Sequence, residues 1–279
     1  MKSKRTTTPA SPAPRAAVKR GLADALPGLA GKGGRDRAGR HRRASGRVAR
    51  LRRSLAAALL ALPCVAAQEV PGLGRVDTRR PVPAGQPPWN AVGIVETTAE
   101  NRCTGTLVGP RIVVTAAHCL VTADASGLVR PRAITFRIDG RSARGVALRS
   151  GPGFDPRREE PWRLDWAVVT IDAPLGNGRS LHMLQEPPRE GLAVALAGWQ
   201  HDRPGVLLAD LGCHVGLFAT FGRQGVMVGH NCAGTTGSSG APLIARGPDG
   251  SFVVVAIQSK AALGQALGVA VPAFTIPLR

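Results

Sequence analysis

Three short segments of the sequence carry side chains that could together perform nucleophilic chemistry. His118 lies in Thr-Ala-Ala-His-Cys directly after a Val/Ile-rich run, Asp165 precedes another apolar run, and Ser239 lies in Gly-Ser-Ser-Gly-Ala-Pro. A serine hydroxyl is a weak nucleophile until a histidine accepts its proton and a carboxylate fixes the imidazole tautomer. Each segment alone is typical of an ordinary turn or a structural histidine. Together they predict a serine nucleophile whose proton is accepted by a histidine that the carboxylate orients.

Two other carboxylates compete with Asp165 for that role. Asp155 lies in the polar segment Gly-Pro-Gly-Phe-Asp-Pro, and Asp172 follows its apolar run instead of preceding it. Asp165 is therefore the better candidate.

The elements that must position these side chains are predicted to be short strands. Runs rich in Val, Ile and Leu alternate with Gly, Pro, Asn and Asp, and no long amphipathic helical pattern is present. Such a pattern predicts an all-β barrel or sandwich, and ~200 residues is normal for one such unit or for a pair of small barrels. The predicted strands are residues 111–115, 133–139, 145–148, 166–171, 192–197, 215–221, 226–228, 241–245 and 252–257.

The net charge of +19 is concentrated near the amino terminus. Residues 1–67 hold 16 Lys and Arg against two acids, whereas residues 68–279 hold 21 against 16. A basic stretch rich in Pro, Ala and Gly cannot bury enough apolar surface to offset its ordering entropy. Residues 1–50 are therefore predicted to be a basic disordered leader.

An apolar run at residues 55–67 has arginines on one side only and ends in Val-Ala-Ala. It is too short to span a bilayer, and these features are typical of a signal peptide, assigned to residues 51–67 with cleavage after Ala67. The two arginines before the run loosely resemble a twin-arginine export motif. The upstream residues are either an extended leader or follow a start codon assigned too early. We expect a secreted or periplasmic protein without a stable membrane anchor.

The cysteines agree with export. Cys64 lies in the predicted signal peptide, which leaves Cys103, Cys119, Cys213 and Cys232 as an even set that predicts two disulfides. Their spacing leaves three pairings open, and no C-x-x-C or H-E-x-x-H motif favours zinc. Neither a metal nor another cofactor is predicted.

Taken together, these motifs resemble those of the trypsin-like serine protease family over roughly residues 75–276. The resemblance implies two packed six-stranded antiparallel Greek-key β-barrels with the active site in the cleft between them, and residues 68–279 as the protease domain. Asp-Thr-Arg-Arg-Pro and the compact spacing from Asp165 to Ser239 resemble the secreted bacterial glutamyl-endopeptidase-like (V8-like) branch. The matching segments are residues 77–81, 103–108, 115–119, 165–169 and 237–242.

The resemblance also implies roles for single residues. Ser239 would attack the scissile carbonyl, His118 would act as general base and then general acid, and Asp165 would orient the imidazole. The N–H groups of Gly237 and Ser239 would form the oxyanion hole. Ser239 is chosen over Ser238 because only Ser239 is in register with the flanking glycines and proline of the motif. The disulfides implied are Cys103–Cys119, beside the histidine, and by elimination Cys213–Cys232.

The predicted substrate-binding residues are Ala233, Gln258 and Ser259. A trypsin-like pocket needs an acid six residues before the nucleophile, and Ala233 stands there, so cleavage after Arg or Lys is disfavoured. Gln258 occupies a position where glutamyl enzymes resemble one another in having His. Other side chains that could shape the pocket are Lys260, Arg223, Thr235 and Thr236.

Ser238 is a further departure from the family. In the chymotrypsin-like zymogens, an Asp at this position pairs with a newly freed terminal ammonium, and Ser238 cannot do so. Activation by that route is not expected, and no required pro-segment is predicted. Candidate trimming sites are Arg75–Val76 and Arg79–Arg80.

The predicted protein is thus a monomeric serine endopeptidase that acts on protein or peptide substrates and binds no nucleic acid. One alternative is a secreted protein on the same scaffold that binds without turnover, against which the retention of all three triad residues argues. A second alternative is polyanion binding through residues 1–53, which requires that segment in the mature chain.

Mass spectrometry of the exported chain tests the signal peptide. We expect the mature amino terminus at or just after Gln68, because small residues precede the predicted cut. An amino terminus near Met1 would contradict export and favour the polyanion-binding alternative.

Overall fold

The computed structural model describes residues 70–158, 162–220, 222–247 and 249–278, so the predicted leader and signal peptide lie outside the described residues. The strands are β1 (Arg80–Pro81), β2 (Val92–Thr97), β3 (Arg102–Gly109), β4 (Ile112–Thr115), β5 (Ile134–Ile138), β6 (Arg141–Ser150), β7 (Ala167–Ile171), β8 (His182–Met183), β9 (Ala193–Trp199), β10 (Leu207–Thr220), β11 (Val226–His230), β12 (Pro242–Arg246), β13 (Phe252–Ala261) and β14 (Gly268–Pro272). Short 3-10 turns lie at Trp89–Ala91, Ala117–Leu120, Pro131–Ala133, Trp162–Leu164, Gly222–Gln224 and Ala273–Thr275.

Twelve of these strands close into two antiparallel barrels. The first barrel has the order β2-β3-β4-β7-β6-β5, and the second has β9-β10-β11-β14-β13-β12. In both, the first three strands are neighbours and the fourth crosses over to pair with the first, which is the Greek-key arrangement. β1 pairs with β10, and β8 runs parallel to β13.

Alternation of apolar and polar residues explains how the strands line the barrels. In β5, Ile134, Phe136 and Ile138 are buried, while Thr135 and Arg137 face outward. β13 of the second barrel is instead buried over the consecutive residues 254–259, and near its start it also pairs with β8. The barrel interiors are therefore filled with side chains, and the candidate functional residues lie in the segments that connect or end the strands.

The prediction of an all-β protein with two six-stranded barrels is confirmed. All nine predicted runs overlap observed strands, but the barrel strands β2, β3 and β14 and the two-residue strands β1 and β8 were not among them. The run at 215–221 is only the second part of β10, whose register shifts twice, between Asp210 and Cys213 and between Val215 and Leu217. Gly212 and Gly216 interrupt the apolar pattern at these shifts, which hides the length of the strand.

Both expected disulfides are present. Cys103 on β3 is bonded to Cys119, with a Cα–Cα distance of 6.1 Å, and Cys213 on β10 is bonded to Cys232, with 4.8 Å. Each barrel thus carries one crosslink. Among the described residues, no helix is long and apolar enough to cross a membrane.

Candidate active site

His118 is held just after the chain leaves strand β4 of the first barrel. β4 ends at Thr115, and the 3-10 turn Ala117–Leu120 follows it with Ala117, Cys119 and Leu120 buried. The disulfide from Cys119 to β3 anchors this turn, and a ring nitrogen of His118 lies within 4.8 Å of both sulfurs. His118 itself keeps 31% of its side chain exposed. The imidazole is therefore fixed at its base and open at its far edge.

Asp165 makes a pair of contacts with His118. Its Oδ2 lies 2.7 Å from Nδ1 of the ring, and its Oδ1 accepts the His118 backbone N–H at 2.9 Å. The Ser259 hydroxyl donates a third hydrogen bond to Oδ2 at 2.6 Å. Because Nδ1 faces the carboxylate, Nε2 is the nitrogen left to take up a proton from another group.

The ionised form of Asp165 depends on these contacts, because the residue is only 3% exposed. Burial by itself would raise the pKa of this carboxyl, but the charge of His118 and the hydrogen bonds from His118 and Ser259 outweigh it and lower the pKa below its ordinary value. Asp165 thus stays a carboxylate that can orient the imidazole and stabilise its protonated form.

Ser239 lies in a loop in which several backbone N–H donors are free. The N–H groups of Ser238, Gly240 and Ala241 each donate to a backbone carbonyl at 2.9 Å. Those of Thr236, Gly237 and Ser239 have no acceptor among the described residues, and of these three residues only Thr236 is exposed. Free N–H donors beside a nucleophilic hydroxyl are what the stabilisation of an oxyanion requires.

Gly240 explains how the loop comes so close to the first barrel. Its φ is +76°, and a Cβ there would lie 2.1 Å from the Thr115 hydroxyl, 2.3 Å from the Thr104 carbonyl oxygen and 2.9 Å from the backbone nitrogen of Ala116. Only glycine permits this approach. Ser239 is thereby brought next to the chain that leads into His118. No hydrogen bond joins the two side chains among the described residues, as is common for unliganded sites of this kind.

Thr104 of β3 connects the two sides of the site. Its N–H donates to the Ser239 carbonyl at 3.0 Å, and its hydroxyl donates to the Gly237 carbonyl at 2.8 Å. The same hydroxyl accepts the Trp199 N–H at 2.9 Å, while the Thr104 carbonyl accepts the Thr115 hydroxyl at 2.8 Å. This fully buried threonine therefore links the histidine turn, the end of β9 and the serine loop.

The competing residues are engaged elsewhere. The Asp155 carboxylate accepts from Arg157 at 3.1 and 3.3 Å, and the Asp172 carboxylate accepts the Arg144 N–H at 3.0 Å. Ser238 points into the protein and is 3% exposed, whereas Ser239 is half-buried.

The predicted substrate-binding residues form an uncharged group. Ala233 is fully buried, and Gln258 is 3% exposed with its Oε1 2.6 Å from Nε2 of His230. The amide Nε2 of Gln258 donates to the Lys260 carbonyl at 3.0 Å. The Thr235 hydroxyl is taken up by Gln200 and Asp202, so it does not serve a pocket.

A cleft of about 470 Å³ opens beside His118. Its walls include Asn101, Phe154, Trp162, Asp165 and Lys260. It runs along the edge of the histidine turn and is also lined by Val121, Thr122 and Ala123.

Sequence reasoning missed three features of this site: the Thr104 junction, the pairing of buried His230 with the predicted residue Gln258, and Arg79, whose side chain reaches the serine loop. None has a local sequence signal, because Thr104 and His230 look like ordinary strand residues and Arg79 is one of several arginines. Ser259 is a predicted substrate-binding residue, and its hydroxyl has a further partner that the sequence did not indicate, the Asp165 carboxylate.

The His230 pair yields a prediction about stability. Burial lowers the pKa of His230 to about 4, with a hydrogen bond to Gln258 and the charge of Asp210 opposing it only in part. The unfolded chain binds this proton near pH 6.5, so the free energy of unfolding should fall as the pH drops from about 6.5 to about 4, by about 3 kcal/mol. Above pH 6.5 the contribution is complete.

Urea unfolding at pH 7 and pH 4.5 checks this. His230→Gln should lose that part of the pH dependence, whereas His182→Gln, which removes an exposed histidine, should retain it. The same pH dependence in both variants would contradict the assignment.

The comparison with known proteins agrees with this geometry. The Trypsin family model matches residues 76–277. Trypsin epsilon of Drosophila erecta is 32% identical over 101 residues, covering 35% of this chain and 38% of that protein. Trypsin iota of Drosophila melanogaster is 27% identical over 128 residues, covering 44% and 49%. The chain thus aligns with less than half the length of these curated relatives.

A solved structure described as a glutamyl endopeptidase in complex with MPD has the same fold. Its TM-score is 0.57 at 18% identity, and the match covers 72% of this chain and 93% of that one. At this identity the likeness concerns the fold alone. The match to residues 76–277 spans both barrels and every candidate residue described above, and the chain belongs to the trypsin-like serine protease family.

Proposed function

We propose that the protein is a secreted serine endopeptidase that hydrolyses peptide bonds through an acyl-enzyme intermediate. The observation that carries the proposal is the combination of an imidazole held by a buried carboxylate with a serine that has free N–H groups and whose neighbour Gly240 lies against the chain leading into His118. Either half alone would be compatible with a structural role. Their meeting across two barrels is what nucleophilic catalysis requires.

In the first step, the Ser239 oxygen attacks the substrate carbonyl carbon while Nε2 of His118 accepts the hydroxyl proton. The imidazolium then donates that proton to the leaving amine, which frees the amino-side product and leaves an ester on Ser239. A water molecule, deprotonated by His118, attacks the ester and releases the second product. Asp165 stays ionised throughout and stabilises the imidazolium.

The N–H groups of Gly237 and Ser239 would bind the oxygen that becomes negatively charged in both tetrahedral intermediates. Because they are already oriented and unpaired, they need little reorganisation when the charge forms. Loss of one such donor typically lowers kcat by about 10²–10³-fold.

Two disulfides support a site of action outside the reducing cytoplasm. The substrate is a protein or peptide, consistent with the cleft that continues beside His118. Ala233 and the His230–Gln258 pair place no charge at the positions that the family resemblance assigns to the specificity pocket. The side chain preceding the scissile bond should therefore be uncharged.

Labelling with a fluorophosphonate probe tests the nucleophile. Wild-type protein should react at Ser239, and Ser239→Ala should abolish both labelling and peptide hydrolysis while the fold is retained. The matched control is Ser238→Ala, which removes the neighbouring hydroxyl and should keep labelling and turnover. His118→Ala should prevent labelling, because the hydroxyl proton then has no acceptor.

Two results would overturn the proposal. Wild-type hydrolysis in Ser239→Ala would exclude this serine as the nucleophile. Absence of labelling in folded, disulfide-bonded wild-type protein would favour a binding protein on a protease scaffold.

Fluorogenic peptides that differ only in the residue before the scissile bond test the substrate preference. We expect peptides with an uncharged residue there to have a higher kcat/KM than those with Arg or Lys. Position 233 itself carries no acid, and the neighbouring buried Asp210 carboxylate already accepts hydrogen bonds from Ala233, Thr78 and Gly212. A preference for Arg or Lys would contradict the assigned pocket.

A further inference from the structure

The segment before the first barrel, residues 70–79, lies against the second barrel and is called here the amino-terminal strap. Arg79 is its innermost residue, with 1% of its side chain exposed. It contacts Asp77 within the strap, and beyond it Gln200, Asp202 and Thr235. The strap thus inserts a buried cation beside the loop that leads to Ser239.

The geometry around Arg79 is specific. Its Nε and one terminal nitrogen donate to the two Asp77 oxygens at 2.8 and 2.9 Å, and the terminal nitrogens donate to Asp202 at 2.6 and 3.1 Å. Its remaining contacts are to Gln200 Oε1 at 2.5 Å and the Thr235 hydroxyl at 3.3 Å. The hydrogen bonds to Arg79 lower the pKa of both Asp77 and Asp202. Both carboxylates and the guanidinium are therefore charged together.

Three consecutive N–H groups of the serine loop donate hydrogen bonds either to the strap or to side chains that the strap also contacts. The Gly234 N–H donates directly to the Gly72 carbonyl at 2.9 Å. The Ala233 N–H donates at 2.8 Å to Asp210, which also accepts the Thr78 hydroxyl at 2.9 Å.

The third of these groups, the Thr235 N–H, donates at 2.6 Å to the same Gln200 oxygen that accepts from Arg79. Thr235 in turn accepts the Ser238 N–H at 2.9 Å through its carbonyl. A chain of hydrogen bonds thus connects the strap to Ser238, the residue next to Ser239.

Gly72 allows the direct contact. Its φ is +77°, and a Cβ there would lie 1.9 Å from the Gly234 carbonyl oxygen. Its own N–H donates to the Ala262 carbonyl at 2.7 Å, just past β13. The strap is therefore pinned at both of its ends, by Gly72 and by Arg79.

We propose that Arg79 is a positioning residue for the reaction: through Gln200, Asp202 and Thr235 it holds the loop 233–239 in the conformation that presents the N–H groups of Gly237 and Ser239. This rests on the proposed function of the Ser239 site. The contacts use side chains and a carbonyl of the strap, so the ordering of the loop requires no terminal ammonium group. Trimming after Arg79 or Arg80 would remove the guanidinium, whereas cleavage before residue 70 would leave the strap intact.

The test compares Arg79→Met with Arg203→Met. Arg203 lies 3.5 Å from the same Asp77 carboxylate, but half of its side chain is exposed, and among the described residues its guanidinium has no hydrogen bond to Gln200 or Thr235. Its backbone N–H donates to the Gln200 carbonyl at 3.4 Å, a contact that Arg203→Met retains. Both variants remove one positive charge from one cluster. Only Arg79→Met removes the link to the serine loop.

Arg79→Met should lower kcat by roughly 10- to 100-fold with a much smaller change in KM, because small displacements of catalytic groups have effects of this size. Arg203→Met should keep kcat within about twofold, since exposed ion pairs contribute little. Thr235→Val, a change of similar shape that removes one hydroxyl from the link, should show an intermediate loss of kcat. It also serves if Arg79→Met fails to fold.

A second readout does not depend on catalysis. All variants are compared in a Ser239→Ala background. The amides of Ala233, Gly234 and Thr235 should exchange hydrogen faster in the Arg79→Met or Thr235→Val protein than in the Arg203→Met protein. The comparison is made under conditions in which the proteins have the same free energy of global unfolding. Unchanged exchange at these amides together with unchanged kcat would overturn the positioning role.

The two readouts separate the two proposals. If wild-type protein has no peptidase activity but the exchange at residues 233–235 still depends on Arg79, the proposed function fails and the ordering of the loop by Arg79 remains. If activity is present and neither the exchange nor kcat responds to Arg79, the positioning role fails and the proposed function remains.

Discussion

The contact between β3 and the serine loop is the constraint on which the rest of the site depends. Thr104 bonds to the Gly237 and Ser239 carbonyls, and Gly240 lies so close to Thr104 that no side chain fits between them. His118 belongs to one barrel and Ser239 to the other, so their separation is set by how the barrels pack. A buried threonine with every polar group paired makes that packing specific, since any shift would leave buried hydrogen-bonding groups unsatisfied.

A buried carboxylate in such a site must be stabilised by its surroundings. Asp165 receives three hydrogen bonds, from the His118 ring, the His118 backbone and Ser259. Ser259 lies on β13 of the second barrel, so the carboxylate that orients the first barrel's histidine is itself held from the opposite side of the cleft. The candidate triad is thus completed by both barrels, and neither barrel alone could assemble it.

The strap also stabilises the serine loop, through contacts that do not involve the first barrel. Arg79, Arg203, Asp77 and Asp202 form a cluster with balanced charges, and its buried member faces the loop. A guanidinium suits this position because its planar donors can bind several acceptors at once. The position next to Ser239 that holds an acid in the chymotrypsin-like zymogens is Ser238 here. Order in this loop comes instead from a segment that precedes the first barrel.

The sequence by itself determined the fold class and the three candidate residues His118, Asp165 and Ser239, because strand alternation and short motifs are local signals, as β5 shows with Ile134, Phe136 and Ile138. It left the cysteine pairing open on spacing alone, and only the family resemblance implied it. The tertiary structure alone decided that Thr104 joins the barrels, that the Ser259 hydroxyl binds Asp165, and that Arg79 reaches Thr235, 156 residues away in the chain. Such contacts depend on how barrels and loops pack in space, and no periodicity within a strand encodes them.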